Sequence, residues 1–379
     1  LNDLKLRVSY GITGNQEIGN GQSLSTLGAA GSGYIIGGEY RTVVLPEQFP
    51  NPDLKWEETA QLNIGLDYEL FGGRIYGAAD YYNKKTSDLL LAFAVPSPSV
   101  VGTQLANVGE VENKGFELSI GSRLIQRADL SWGVEANFSA NRNKVLSLSD
   151  ATWSRTEIRG VPLSGFGFSA QNSQIITPGQ PLGMFFGPIY LDTENGREVY
   201  ADADGNPTSS PTEHLTFIGN AQPKWSIGVN NRVFYRDWDL SLSVNGQFGH
   251  DILNNTAMDL QNKNLLPGQN ILADGLADGL DYGGGSATFS SKWIEDGSYL
   301  RLSNITLGYS FDTSGILPGA NGNARIYVTG ENLLLLTNYA GYDPEVSSHV
   351  TGGATPPRGI DYMSYPRART VSLGASITF

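Results

Sequence analysis

One acidic stretch of the chain has the spacing of a calcium-binding loop. Asp202, Asp204, Asn206 and Glu213 fall at positions 1, 3, 5 and 12 of the template in which carboxylate and amide oxygens surround the ion. Position 6 of that template is a glycine that permits a sharp turn, whereas this chain has Pro207 there. The stretch therefore predicts either a calcium site or a plain turn, and the proline favours the turn.

A second group of residues is rich in aromatic side chains, which stack on sugar rings and contact apolar peptide side chains. Six of these residues fall within one long predicted loop: Trp153, Phe166, Phe168, Phe185, Phe186 and Tyr190. The sequence predicts that they contact a substrate. The alternative is that the rings pack a small core of their own, as long compact loops do.

The sequence gives little support for catalysis. His214, His250 and His349 are far apart, and the chain has no cysteine, no Gly-x-Ser-x-Gly elbow, no phosphate-binding loop and no His-Glu-x-x-His motif. We therefore expect no enzyme. The net charge of −13 also argues against non-specific binding to nucleic acid, which requires a basic surface.

The predicted strands that position these residues show strict alternation of apolar and polar side chains. Leu62, Ile64 and Leu66 alternate with Asn63 and Gly65, and similar runs recur ten times along the chain. Several runs are longer than the roughly 5 or 6 residues of an ordinary soluble strand. They suit tilted strands with lipid on one side and water on the other, which need about 9–11 residues. The alternation predicts an all-β fold, an antiparallel transmembrane β-barrel, with a soluble sandwich or propeller as the alternative.

The connections between the strands favour the barrel. Short connections at 71–74, 125–129, 235–238 and 312–323 alternate with long ones at 14–53, 92–107, 147–223, 251–296 and 337–366. Bacterial outer-membrane barrels have short periplasmic turns and long extracellular loops in this way. Aromatic residues beside the short turns, such as Phe71, Tyr235 and Trp238, predict an interfacial girdle.

Several segments, taken together and in order, resemble one known family. They include NPDLKWEETAQLNIGLDYEL (51–70), NVGEVENKGFELSIG (107–121), SYLRLSNITLGYSF (298–311) and RIYVTGENLLLLTNYAGYDPEV (325–346). These segments resemble the C-terminal barrel of SusC/RagA-type TonB-dependent transporters. The resemblance implies a 22-stranded barrel in the outer membrane of a Bacteroidetes-type bacterium. Residues 1–379 are then expected to form the last ten strands of that single barrel domain, with a plug domain and earlier strands upstream.

The resemblance also implies a function and partners. It implies import of glycans or peptides, together with a SusD-like surface lipoprotein that closes over the barrel as a lid. It implies contact with TonB through the N-terminal part and contact with outer-membrane lipid. The only cofactor that the residues themselves suggest is calcium, at the acidic stretch 202–213. A surface adhesin or structural barrel, and an outer-membrane hydrolase with its active site among the loops, are the alternative functions.

Overall fold

The computed structural model describes residues 1–15, 18–29, 33–95, 98–149, 155–168, 171–277, 287–313, 322–346 and 358–378. Its largest feature is one antiparallel sheet of ten strands, in which each strand pairs with the next one along the chain. We call this sheet the wall. The wall strands are β1 (Asp3–Asn15), β2 (Glu57–Leu70), β3 (Ile75–Ser87), β4 (Glu110–Gln126), β5 (Leu130–Ser147), β6 (Trp225–Tyr235), β7 (Trp238–Phe248), β8 (Tyr299–Asp312), β9 (Asn323–Thr337) and β10 (Thr370–Thr378).

The short connections lie at one end of the wall and the long connections at the other. Tyr235 pairs directly with Trp238, so only two residues join β6 to β7. Phe71 after β2 and Arg236 after β6 adopt left-handed backbone conformations, with φ of 55° and 51°. Left-handed residues reverse the chain within a tight turn, which brings the next strand back at once. The predicted alternation of short and long connections is confirmed.

Apolar side chains on one face of the wall are open to the surroundings. Leu6 is 69% exposed, Val8 is 64% exposed and Leu373 is 85% exposed, although all three lie within strands. A sheet in water would cover such a face with a second layer of structure, because exposed apolar area is unfavourable. A lipid bilayer removes this requirement, so the exposed face fits contact with hydrocarbon.

The edges of the wall are its first and last strands. In the described part of the chain β1 pairs only with β2, and β10 pairs only with β9. Open edges carry unpaired backbone groups, and a membrane barrel satisfies such groups by closing with further strands.

The long connections fold into small sheets and short helices of their own. Their strands are Thr26–Ala29, Tyr34–Ile36, Glu39–Arg41, Val44–Gln48, Leu90–Ala94, Thr103–Asn107, Ile158–Pro162, Asn172–Ile176, Met184–Gly187, Tyr190–Glu194, Arg197–Ala201, Pro207–Thr208, Thr216–Asn220, Asp251–Asn254, Ile294–Asp296 and Ile360–Asp361. The α-helices are α1 (Asn255–Leu260) and α2 (Asp274–Ala277), and 3₁₀ turns span Lys263–Leu265 and Ser291–Trp293. None of the helices among the described residues is long and apolar enough to cross a membrane.

The largest hydrophobic core lies in these connections and not in the wall. We call it the loop core; it consists of the buried residues Val161, Leu163, Phe168, Phe185, Ala221, Leu253, Met258, Ala287, Phe289, Trp293 and Ile360. Its members come from three different long connections. The Asn254 side chain accepts a hydrogen bond from the Ala257 amide and so caps α1, which places Met258 in this core. The three connections therefore form one packed body at one end of the wall.

Candidate functional site

The face of the wall opposite the exposed apolar face carries a polar groove. We call it the inner groove; it has a volume of about 430 Å³, and its polar lining comprises Asp80, Glu117, Ser119, Asn137, Ser139, Ser226, Asn245, Gln247, Tyr299 and Glu345. The Ser139 and Ser226 hydroxyls lie 2.7 Å apart across β5 and β6. Hydroxyl and amide groups both donate and accept hydrogen bonds. The groove can therefore bind ligands rich in hydroxyl or peptide groups.

Ion pairs across three strands fix one charged side of the groove. Arg7 of β1 donates to both carboxylate oxygens of Asp67 at 2.8 and 2.9 Å, and its guanidinium lies 3.1 Å from the Asp80 carboxylate of β3. The ion pair passes over Gly65 of β2, where a side-chain carbon would collide with the Asp80 carboxylate and the Arg7 guanidinium. Glycine therefore permits the bridge, and Asp80 is held in place beside the groove.

An ionic cluster with two buried members, Arg301 and Asp343, lies where the groove meets the long connections. Arg301 of β8 is only 3% exposed; its guanidinium donates to Asp343 at 2.7 Å and lies 2.9 Å from the Glu345 carboxylate. Arg367 also binds Glu345, at 2.9 Å. We call these four residues the ionic latch, because they attach the connection after β9 to the wall and bring Glu345 to the groove.

The ionic latch could not be identified from the sequence alone. Its signal was weak: an arginine at an inward position of a strand, and two carboxylates separated by one proline, Pro344. Such residues are ordinary in a loop and a barrel wall. Only the tertiary structure shows that Arg301 is desolvated and needs both carboxylates as partners.

The six predicted aromatic residues are not brought together into one surface. Phe168 and Phe185 are completely buried in the loop core, which matches the alternative of core packing. Phe186 packs edge-on against Phe217, with ring centroids 5.4 Å apart. Trp153 lies outside the described residues.

The two remaining aromatic rings have partial access to the surroundings. Phe166 is 58% exposed, and its amide donates to Asp259 at the end of the loop core. Tyr190 is half-buried, and the Lys292 ammonium lies 5.2 Å from its ring centroid. Substrate contact by Phe166, Phe186 and Tyr190 stays a prediction.

Three of the predicted calcium residues, Asp202, Asp204 and Asn206, lie in a turn between two short strands, and Glu213 lies beyond the second of these strands. The Asp202 carboxylate accepts hydrogen bonds from the Asp204 amide at 2.9 Å and from the Asn206 amide at 2.8 Å. These bonds, led by that from the Asn206 backbone, hold the pKa of Asp202 below its ordinary value. The Thr208 hydroxyl donates to Glu213. No group of three His, Cys, Asp or Glu side chains suited to a metal occurs among the described residues. Calcium binding therefore stays a prediction.

The wall and its connections are similar to those of known proteins. The family model described as TonB dependent receptor-like, beta-barrel matches residues 1–333. The chain belongs to this family. The match confirms the predicted antiparallel membrane barrel and places the chain in the bacterial outer membrane.

Curated relatives confirm the predicted SusC/RagA type of this family. TonB-dependent receptor P3 of Formosa agariphila is 32% identical over 407 residues, which cover 99% of this chain and 39% of that protein. TonB-dependent receptor SusC of Bacteroides thetaiotaomicron is 32% identical over 401 residues, covering 100% of this chain and 38% of that protein. The chain thus spans about two fifths of the length of these relatives. Both relatives are named as receptors and not as enzymes.

A solved structure agrees with the architecture of this family member. The structure of the RagAB peptide transporter matches with a TM-score of 0.76 and 26% sequence identity, covering 99% of this chain and 40% of that chain. The match includes the long connections as well as the wall, since it covers nearly all residues.

Proposed function

We propose that this protein imports glycans or peptides across the outer membrane as a TonB-dependent transporter, and that it does not catalyse a reaction. The observation that carries the proposal is the inner groove. Its polar side chains come from neighbouring strands of a wall whose other face is apolar and exposed. Such a wall separates lipid from a wet interior through which a polar solute can pass. The identity to SusC and the likeness to a peptide transporter support the same function.

We propose that ten wall strands form part of a larger barrel. The relatives are more than twice as long as the matched region, and both edges of the described wall are open to further strands. A plug domain and the TonB contact then belong to the remaining part of the complete protein.

A SusD-like surface lipoprotein is the proposed partner at the long-connection end. The loop core makes this end a packed body with a defined surface, against which a lid protein can close. Most of the acidic excess of the chain also falls in the long connections. A lid with a basic contact face would complement them.

Two substitutions in β6 test the transport function. Ser226→Trp places a bulky ring in the inner groove, whereas Val229→Trp places the same ring on the apolar face, where Val229 pairs with Ala136 and Val244. In cells that express the complete protein, we expect uptake of fluorescent oligosaccharides or oligopeptides to fall with Ser226→Trp and to persist with Val229→Trp. Equal uptake by both variants would contradict transport through this groove and favour an adhesin. Turnover of the labelled probes by purified protein would favour a hydrolase.

A further inference from the structure

The apolar face of the wall has a concavity at its long-connection end, between β5 and β6. The last residue pair between these strands is Ser139 with Ser226, although β5 continues to Ser147. The later residues of β5 therefore have no β6 partner, and a space of about 910 Å³ opens beside them. We call it the outer notch. Its volume is within the roughly 300–1,000 Å³ of small-molecule pockets and far exceeds the need of a single small anion.

The base of the outer notch is aromatic. Tyr81, Phe116, Phe138 and Trp225 line it from four neighbouring strands. Phe116 pairs with Tyr81 across β4 and β3, and the Trp225 ring stacks on Phe248 with centroids 4.0 Å apart. Aromatic side chains on the lipid face of a barrel mark the level of the membrane interface. The outer notch therefore opens where lipid headgroups meet acyl chains.

The charged residues that line the outer notch within the described part of the chain are all basic. They are Lys114, Arg142 and Lys224, and each is exposed. Lys114 lies directly opposite Arg142 in the register of β4 and β5. Like charges in such a pair repel each other and destabilise the sheet unless an anion lies between them.

Acidic side chains among the described residues compensate only part of the positive charge in the outer notch. Glu112 binds Lys114 at 3.1 Å. Arg142 and Lys224 make no ion pair within the described ranges, so two cations above an aromatic surface are open to an anionic ligand. A guanidinium forms paired hydrogen bonds with phosphate oxygens, which makes phosphate a well-suited anion.

We propose that the outer notch binds an anionic, phosphorylated lipid of the surrounding membrane. The headgroup phosphate contacts Arg142, Lys114 and Lys224, and the acyl chains lie along Phe116 and Trp225. A free phosphate ion would use the cations but leave the aromatic base unused, whereas a membrane lipid matches both parts. The bound lipid relieves the repulsion between Lys114 and Arg142 and fills the space that the shorter strand β6 leaves beside β5.

Quenching of Trp225 fluorescence by brominated acyl chains tests the proposal. The complete protein is reconstituted in nanodiscs that mix phosphatidylglycerol and phosphatidylcholine, with bromine on one lipid at a time. Subtracting the signal of the Trp225→Phe variant isolates the contribution of this indole. We expect brominated phosphatidylglycerol to quench Trp225 at lower mole fractions than brominated phosphatidylcholine does. Because a basic residue near the surface contributes about fivefold to binding of an anionic lipid, Arg142→Gln should shift the midpoint by about that factor.

Arg127→Gln is the matched control, because Arg127 is an exposed cation at the other end of the same β4–β5 hairpin. We expect it to leave the quenching by phosphatidylglycerol unchanged. Equal quenching by the two lipids, or an equal loss with Arg127→Gln, would overturn the proposal. Displacement of the lipid by millimolar inorganic phosphate would instead assign the cations to a soluble anion. Unchanged gel mobility of the unboiled variants verifies that each barrel has folded.

Discussion

The assignment of the two wall faces predicts opposite effects of arginine at two neighbouring positions of β7. Leu242 lies on the apolar face, where it pairs with Asn231 and Ile305. Ser241 lies on the inner face, where it pairs with Arg232 and Thr306. We expect Leu242→Arg to destabilise the folded barrel strongly and Ser241→Arg to have a small effect.

The magnitude follows from the depth of Leu242 in the membrane. Leu242 is four residues beyond Trp238, which stands next to the short turn and packs against Tyr309 with ring centroids 4.8 Å apart. Four residues of strand span about 14 Å, and a tilt near 45° reduces this to a depth of about 10 Å. The middle of an apolar band about 25 Å tall lies at about 12 Å, so Leu242 lies near the midplane. Arginine there costs roughly 2–4 kcal/mol.

The cost at Ser241 has a different origin. The new arginine would face water but would lie opposite Arg232, and such a like-charge pair costs about 1 kcal/mol or less. Guanidinium titration of the complete protein in lipid vesicles measures both free energies of unfolding. Equal losses of stability, or a larger loss for Ser241→Arg, would refute the assignment of the faces.

Three further predictions concern the long connections. Arg301→Met removes the buried cation of the ionic latch from Asp343 and Glu345. We expect the free energy of unfolding to fall by about 3–5 kcal/mol, and the connection that begins after β9 to be cleaved faster by proteases. Burial lowers the pKa of His250, so as the pH falls the imidazole becomes protonated in the unfolded chain before it does so in the folded protein. The stability that His250 contributes is therefore present above its unfolded pKa of about 6.5 and is lost as the pH falls from there towards the folded value. The hydrogen-exchange protection factors of 250–254, which are corrected for the intrinsic pH dependence of amide exchange, should fall over that range, and less so in His250→Gln. A calcium site at Asp202 and Asp204 predicts that calcium added to chelated protein raises the Tm and that Asp204→Ala abolishes the rise, whereas the plain turn that Pro207 favours predicts no change.

Each of these predictions has a contrary outcome. Proteolysis that is unchanged by Arg301→Met would show that the ionic latch does not hold the connection. An equal loss of protection in His250→Gln and in the unchanged protein would show that another group, and not His250, causes the pH dependence. A Tm that does not respond to calcium would leave the hydrogen-bonded turn at Asp202 as the role of that stretch.

The wall could be predicted from the sequence because each of its strands has two different environments. Leu62, Ile64 and Leu66 alternate with polar residues since one side meets lipid and the other meets water, and this period of two is local in the chain. The tight turns were equally local: the residues after β2 and β6 reverse the chain within a few positions.

The candidate site could be predicted only in part, because its contacts are distant in the chain. Arg301 and Asp343 are 42 residues apart, and nothing near either residue indicates the other. Phe185 and Phe186 are adjacent and chemically identical, yet the first is fully buried and the second is partly exposed. Their difference depends on which connection packs above each ring, and that is a property of the tertiary structure.

The loop core has a consequence for how this outer surface can change. Phe185, Leu253 and Ile360 belong to three separate connections, yet all three pack in one core. A volume change in one connection leaves a gap or a clash for the other two, because close-packed interiors tolerate little mismatch. Substitutions in one connection must therefore be matched by substitutions in the other two. A chimera between two relatives would need to exchange all three connections together to keep the loop core packed.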